Sequence, residues 1–423
     1  MVYLCPDNSE YMISVQKIEN AYLNIRDVVI QTPLIRNYNM SKRYHCNIFL
    51  KREDMQVVRS FKIRGAYNKM KMMGPENLAK GVICASAGNH AQGVAFACSS
   101  LNTHGIIYMP TTTPKQKISK VKHFGGDWIE IRLVGDTFDT ANKVALRYSS
   151  DEGIPYIHPF NDKDVMAGQG TVAKEILDEM TQPIDYLLVA VGGGGLISGV
   201  GSYFRQKSPG TKIIAVEAEG APALAESLKA NQLVQLDKID SFADGIAVQM
   251  IGNETFEICK EVIDDIILVP EGNICSSILS LYNDEAIVVE PAGAISISAL
   301  DYISDDIQGK NVVIIVCGGN NDITRTEDIR ERALLWEGRK HYFIVRFPQR
   351  AGALLDFLKL MGPNDDIAHF AYTKKTTRDS GPALVGIEFK YKEDYQPLVD
   401  RLVANNINFE HLNNNPLLFQ MLV

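Results

Sequence analysis

Three times in this chain a short apolar run ends in a turn of small, polar or glycine residues. Gly81-Val82-Ile83-Cys84-Ala85 leads into Ser86-Ala87-Gly88-Asn89-His90. Tyr186-Leu187-Leu188-Val189-Ala190-Val191 leads into Gly192-Gly193-Gly194-Gly195-Leu196, and Val312-Val313-Ile314-Ile315-Val316 into Cys317-Gly318-Gly319-Asn320. Runs this short and this apolar fit strands buried on both faces, which belong to parallel sheets flanked by helices. Such sheets build their ligand crevice beyond the carboxyl ends of the strands. The three turns are therefore the first places to look for a site.

The rest of the chain supports alternating strands and helices. Helical spacing runs through residues 11–30 (Ile13, Ile18, Ala21, Tyr22, Ile25, Val28, Val29) and Pro33 stops it. Asn47-Ile48-Phe49-Leu50 is a strand leading through Lys51-Arg52-Glu53-Asp54 to Ser60-Phe61-Lys62-Ile63-Arg64-Gly65-Ala66-Tyr67. Ser60 is expected to cap the helix that Lys62 begins, with Gly74-Pro75 as its stop. Thr113-Pro114 is expected to cap and open a helix ending at Gly125-Gly126, and another runs from about Thr137 to Ser150. Gly168-Gln169-Gly170-Thr171 is read as the opening of a further helix, and helices follow at about 271–287 and 291–303. Strands are expected at Gly105–Met109, Asp127–Ile131, Lys212–Glu217, Asp264–Val269 and 311–316, closing a first unit near residue 330.

After residues 331–338, read as the end of a linking helix, the pattern changes. Strand His341–Phe347, a helix through Leu360, strand-like runs Asp366–Lys374 and Leu384–Tyr391, helix Glu393–Ala404 and a strand at Ile407–His411 follow in turn. The order β-α-β-β-α-β is the ferredoxin-like arrangement.

Composition sets limits. At 423 residues the chain is long for one domain, given about 150 residues per domain as a prior. A net charge of −8 argues against a general nucleic-acid surface. No apolar run approaches the ~18 residues of a membrane helix, and Met1–Val15 shows no basic residue before an apolar core, so no signal peptide is expected. Seven cysteines without a C-x-x-C pair fit reduced thiols in the cytoplasm better than disulfides or zinc. Gly192–Gly195 lacks the G-x-G-x-x-G spacing of nicotinamide-binding folds.

By itself a lysine in a helix's first turn is usually solvated. In company with the serine-glycine-asparagine turn, the tetraglycine loop and Cys317, in this order, the Lys62 segment resembles the fold-type II pyridoxal-phosphate (PLP) enzymes. Within them it is most similar to the threonine and serine dehydratases, the biosynthetic threonine dehydratases above all. The resemblance covers essentially the whole chain. It implies a tryptophan synthase β-like α/β fold of two open twisted lobes over residues 1–330, the smaller lobe at about 52–160 set into the larger. Residues 339–423, with the pattern Pro348-x-Arg350-x-Gly352-x-Leu354, are similar to ACT-like regulatory domains. Ala351 stands where many of these have proline, and only one such module fits, as in the short form of the family.

The resemblance also implies roles. Lys62, beside Phe61, would hold the cofactor's aldehyde and later act as base, and burial would lower its pKa as that task requires. Gly192, Gly193, Gly194, Gly195 and Leu196 would cradle the phosphate at a helix N-terminus. Asn89 would meet the ring oxygen and Cys317 the pyridine nitrogen, with Gly245 placed near the ring. A thiol opposite that nitrogen cannot protonate it as a carboxylic acid would. Ser86, Ala87, Gly88 and Asn89 would take the substrate carboxylate. Asp244 to Val248 and Glu290 to Ala294 match family segments near the ring, with no role fixed for Glu290. His90 is read as structural.

The implied reaction is dehydration and deamination of L-threonine, or secondarily L-serine, to a 2-oxo acid and ammonia. An isoleucine or valine effector would bind near Arg350, Gly352 and Leu354, on a homotetramer. Serine racemases are the nearest rival. They carry serine at the position of Ala87 and a polar residue at that of Phe160, and both departures favour a dehydratase. They also bind a cation through a glutamate matching Glu217 and an aspartate replaced here by Ala223, so no metal is expected. An amino-acid sensor that had lost catalysis would be expected to show damage at Lys62 or the glycine loop, and both are intact.

Overall fold

The structure is a computed structural model that describes residues 11–372 and 380–422. It divides into two compact units, residues 11–271 with 280–323, and residues 272–279 with 324–422. In chain order the first unit carries strands β1 (Leu34–Asn37), β2 (Asn47–Arg52), β3 (Val82–Ala85), β4 (Gly105–Met109), β5 (Ile129–Leu133), β6 (Tyr186–Ala190), β7 (Lys212–Ala218), β8 (Asp265–Val269) and β9 (Asn311–Val316).

Six of them form one sheet in the order β1-β2-β9-β6-β7-β8, parallel except for the β1 edge. The smaller parallel sheet β3-β4-β5 stands apart with its own core of Ile63, Tyr67, Met70, Val94, Ile107 and Val121. In the large sheet β9 is inserted between β2 and β6, so strand order reverses there. Because β2, β9 and β6 are parallel neighbours, the segments leaving their carboxyl ends emerge side by side. Those segments lead to Lys62, to Cys317 and to Gly192. The crevice expected of such a sheet lies at this reversal.

Glycines set how closely the supporting helices approach. A Cβ on Gly65 would lie 2.7 Å from the Val165 carbonyl oxygen, and one on Gly168 would lie 2.5 Å from that of Arg64. A Cβ on Gly199 would lie 2.1 Å from the Met166 carbonyl oxygen. Helices Lys62–Leu78 and Gly195–Lys207 thus both lie backbone-to-backbone against helix Lys163–Glu179. This corrects the reading of Gly168–Thr171 as a helix opening. The helix begins at Lys163, capped by Asp162, which accepts the N–H groups of Asp164 and Val165, and its glycines are crossing points.

Two expected caps also fail. The Ser60 hydroxyl is buried without a hydrogen-bond partner, and helix Lys62–Leu78 starts from Phe61 without a side-chain cap. Thr113 donates to the Pro110 carbonyl instead of capping helix Lys115–Gly125. Gly74, at φ +74°, kinks the lysine helix and one further turn follows Pro75.

What fixes the lysine helix is charge. Arg64, fully buried, donates two hydrogen bonds to Glu53 (2.7 and 2.8 Å) and two to Glu175 (2.6 and 2.9 Å). Buried Lys51 reaches the same Glu175 at 2.9 Å, and Glu179 at 2.9 Å.

The second unit is a four-stranded antiparallel sheet of β10 (Lys340–Pro348), β11 (Asp365–Tyr372), β12 (Ser380–Phe389) and β13 (Asn408–His411), in the order β11-β12-β10-β13. Helices Ala353–Leu358 and Tyr395–Ala404 complete the ferredoxin-like arrangement around Phe343, Val345, Phe357, Val385, Phe389 and Leu398. Thr373 and Lys374, the end of one expected run, lie outside the described residues, as do residues 1–10.

Arg64→Ala would leave two buried carboxylates without their guanidinium. It is expected to destabilise the first unit by about 3–5 kcal/mol, read as a shift in its denaturant midpoint. A change below about 1 kcal/mol would show the pair to be dispensable.

Candidate active site

Lys62 is the first residue of its helix, and its Nζ donates to the Pro159 carbonyl oxygen at 2.9 Å, 5.2 Å from the Phe61 ring centroid. Desolvation lowers its pKa to about 8, against smaller opposing effects of Cys317 and Glu290. The neutral share of the amine near physiological pH is therefore far larger than that of an ordinary lysine. Pro159 belongs to a turn that also serves the glycine loop. The next residue, Phe160, lies under that loop, where a Cβ on Gly193 would fall 2.2 Å from its ring and one on Gly195 2.9 Å from its Cα. His158 shapes this turn by accepting the N–H groups of Phe160 and Asn161 at Nδ1. Desolvation and the Lys62 charge push its pKa down to about 4, so it is neutral.

The loop is a cradle only glycine can line. A Cβ on Gly192 would meet the Ile246 carbonyl at 2.7 Å, and Gly194 takes φ +85° as it opens helix Gly195–Lys207. Backbone amides at a helix N-terminus are suited to an anion, and a phosphate fits this donor set. The Ser86–Gly88 turn leaves β3 and opens helix Asn89–Ser100 in the same way. Ser86 Oγ accepts the Gly88 N–H at 3.2 Å, so that amide is partly committed. His90 is buried, with Nε2 on the Ile157 carbonyl oxygen, and desolvation and Lys62 lower its pKa to about 3. It is a neutral residue of the helix.

Asn89 is gripped from both sides: its Nδ2 donates to Glu290 at 2.6 Å and its Oδ1 accepts from Asn320 at 2.7 Å. Glu290 is 5 % exposed, and burial, with Asp244 nearby, raises its pKa to about 7. A Cβ on Gly318 would fall on the Glu290 carboxyl, and one on Gly245 would lie 2.8 Å from the Ala292 Cβ. Gly245 and Gly318 are thus small because Glu290 and its helix stand against them. Cys317 is buried and donates to the Ala292 carbonyl oxygen at 3.0 Å, and desolvation keeps its thiol protonated.

The sequence singled out Lys62, Phe61, Asn89, Cys317, Gly245 and the two turns, and all lie around this crevice. It did not single out Pro159, His158 or Asn320, and it left Glu290 without a role. Only the three-dimensional partnership reveals them, though Asn320 does close one of the three glycine-rich turns. Glu217, by contrast, accepts the N–H groups of Leu224 and Ala225 at 2.8 and 2.9 Å and so serves a helix N-terminus.

Comparison with known proteins agrees in both halves. Residues 25–318 match the family described as pyridoxal-phosphate dependent enzyme, and residues 331–422 match the C-terminal regulatory domain of threonine dehydratase. The chain is similar to the biosynthetic L-threonine dehydratase of Bacillus subtilis, 56% identical over 421 residues and covering 99% of each. Among solved structures, the processed form of threonine deaminase isoform 2 from Solanum lycopersicum is 41% identical with a TM-score of 0.71, covering 77% of this chain and 96% of that one. Maize serine racemase is 31% identical at a TM-score of 0.71, covering 77% and 98%.

Because only the neutral amine attacks an aldehyde, cofactor capture by the apoprotein is expected to accelerate as pH rises through about 8 and then level off. Stopped-flow absorbance checks this. A rate still climbing toward about pH 10.4, the ordinary lysine value, would mean that the amine is not desolvated.

Proposed function

The chain belongs to the pyridoxal-phosphate dependent enzymes, in the threonine dehydratase branch with a C-terminal regulatory domain, and we propose that Lys62 is the residue through which it works. The enzyme deaminates L-threonine to 2-oxobutanoate and ammonia, the first step of isoleucine biosynthesis, using pyridoxal 5'-phosphate. The cofactor supplies an aldehyde for the substrate's amine and a conjugated ring that accepts the electron pair left on the α-carbon.

The chain's residues do the rest. Lys62 would hold the cofactor through its aldehyde, and its amine, freed and neutral, would be the base for the α-proton. Gly192, Gly193, Gly194, Gly195 and Leu196 would hold the phosphate with backbone amides. Asn89 would donate to the ring oxygen and Cys317 would meet the ring nitrogen, while Phe61 packs beside the Lys62 amine and Gly245 would leave room for the ring. The Ser86 hydroxyl and the amides of Ala87, Gly88 and Asn89 take the substrate carboxylate, which fixes the direction of the α-C–H bond. A side chain at Ala87 that cannot carry a proton leaves the opposite face without a base, which favours elimination over racemisation. The proton taken by Lys62 and the departing β-hydroxide together make up the one water lost, and hydrolysis of the released enamine gives the 2-oxo acid and ammonia. The observation that carries this reading is the desolvated amine of Lys62 beside a loop that admits no side chains.

The regulatory half supports an amino-acid effector, and the reading extends to isoleucine or valine near Arg350, Gly352 and Leu354. Gly352 turns the chain at φ +81°, Arg350 lies on Asp356 at 2.8 Å, and Leu354 is exposed. A homotetramer in the cytoplasm is the proposed setting. The six described cysteines are free thiols, in keeping with a reducing compartment.

Lys62→Ala is expected to abolish the visible absorbance of the loaded enzyme and to cut 2-oxobutanoate release at least about 10³-fold. A coloured, active variant would transfer the role to another amine. Isoleucine is expected to shift the threonine saturation curve to higher concentration and to raise the thermal midpoint of the second unit. If it changes neither, another effector occupies that domain.

A further inference from the structure

An asparagine side chain has a donor end and an acceptor end, and a cofactor oxygen can be served only by the donor end. Which end Asn89 presents is decided by its neighbours. Asn320 is anchored first: its Nδ2 donates to the Val58 carbonyl oxygen at 2.8 Å, and its Oδ1 accepts from Lys120 Nζ at 3.2 Å. A carbonyl can only accept and an ammonium can only donate, so the Asn320 amide has one orientation. Its Nδ2 therefore faces Asn89, whose Oδ1 accepts at 2.7 Å. Glu290 completes the grip from the other side at 2.6 Å. One Asn89 Nδ2 hydrogen is thereby used, and the second remains to point into the crevice.

We propose that Asn320 and Glu290 are positioning residues that fix the amide orientation of Asn89, so that its uncommitted N–H faces the cofactor ring. The inference rests on Asn89 meeting that ring, as proposed above. Polarity runs in one direction through the chain of bonds, from the Lys120 ammonium and the Val58 carbonyl, through Asn320, to Asn89.

This makes one substitution worse than deletion. Asn320→Asp keeps the size and can keep the Lys120 contact, but sets an acceptor against Asn89 Oδ1. The Asn89 amide is then driven to turn its oxygen toward the cofactor. Asn320→Ala merely releases it. Apoprotein titrated with pyridoxal 5'-phosphate, followed by absorbance, is expected to show affinity about tenfold or more weaker for Asn320→Asp, and about threefold weaker for Asn320→Ala. A role confined to packing predicts the reverse order, and an Asn320→Asp affinity equal to or tighter than that of Asn320→Ala overturns the proposal. Should Asn320→Asp not fold, the Glu290 pair decides. Glu290→Gln retains an acceptor and should bind cofactor like the wild type, whereas Glu290→Ala should bind several-fold more weakly. Equal affinities in those two variants overturn the proposal. Failure of the Lys62 reading shows separately, as a wild-type apoprotein that captures no cofactor.

Discussion

The seating of the crevice depends on a guanidinium buried two residues beyond the Lys62 amine. Arg64 carries the lysine helix onto Glu53, which follows strand β2, and onto Glu175 of the helix beneath. Burying such groups is costly unless each finds a full set of opposite partners. Here two cations, Arg64 and Lys51, meet two fully buried carboxylates, with the partly exposed Glu179 closing the cluster. A helix held only by apolar contacts could rotate or slide by a fraction of a turn. One held by paired bidentate bonds has a single seating, and the direction of Lys62 follows from it.

The same burial acts in opposite senses on the two titratable groups that flank Asn89 and the loop. It removes charge from Lys62 by lowering its pKa to about 8, and removes charge from Glu290 by raising its pKa to about 7. One dry cleft thus favours the uncharged form of both groups. Neutral His158 and His90 extend the pattern, since burial is the largest cause of both lowered values.

What could be read from the sequence was what repeats locally. A five-residue apolar strand followed by four glycines declares its end and its chemistry without help from elsewhere. The ferredoxin-like order of the second unit was legible for the same reason, because each of its strands carries its own apolar pattern. What could not be read depends on partners far along the chain. Asn89 and Glu290 are 201 positions apart, and nothing near either one marks the bond between them. Ser60 and Gly168 misled for a related cause: a serine before a helix suggests a cap, and paired glycines suggest a break. Here the first is a buried hydroxyl opposite Gly318, and the second are contact points between helices.

Those contact points set a length. With glycine on both sides of each crossing (Gly65 on Gly168, Gly199 on Gly170), the lysine helix and the loop helix rest on a common third helix with almost no side chain between them. Their spacing is then a property of the main chain and cannot drift by small exchanges of residue volume. The cleft behaves as a fixed gauge, with an amine at one end and an anion seat at the other. A vitamer lacking its phosphate, or an aldehyde mounted on a longer frame, would satisfy only one end. On the proposed reading, substrate contacts fall to the turn after β3, which can change without altering the gauge.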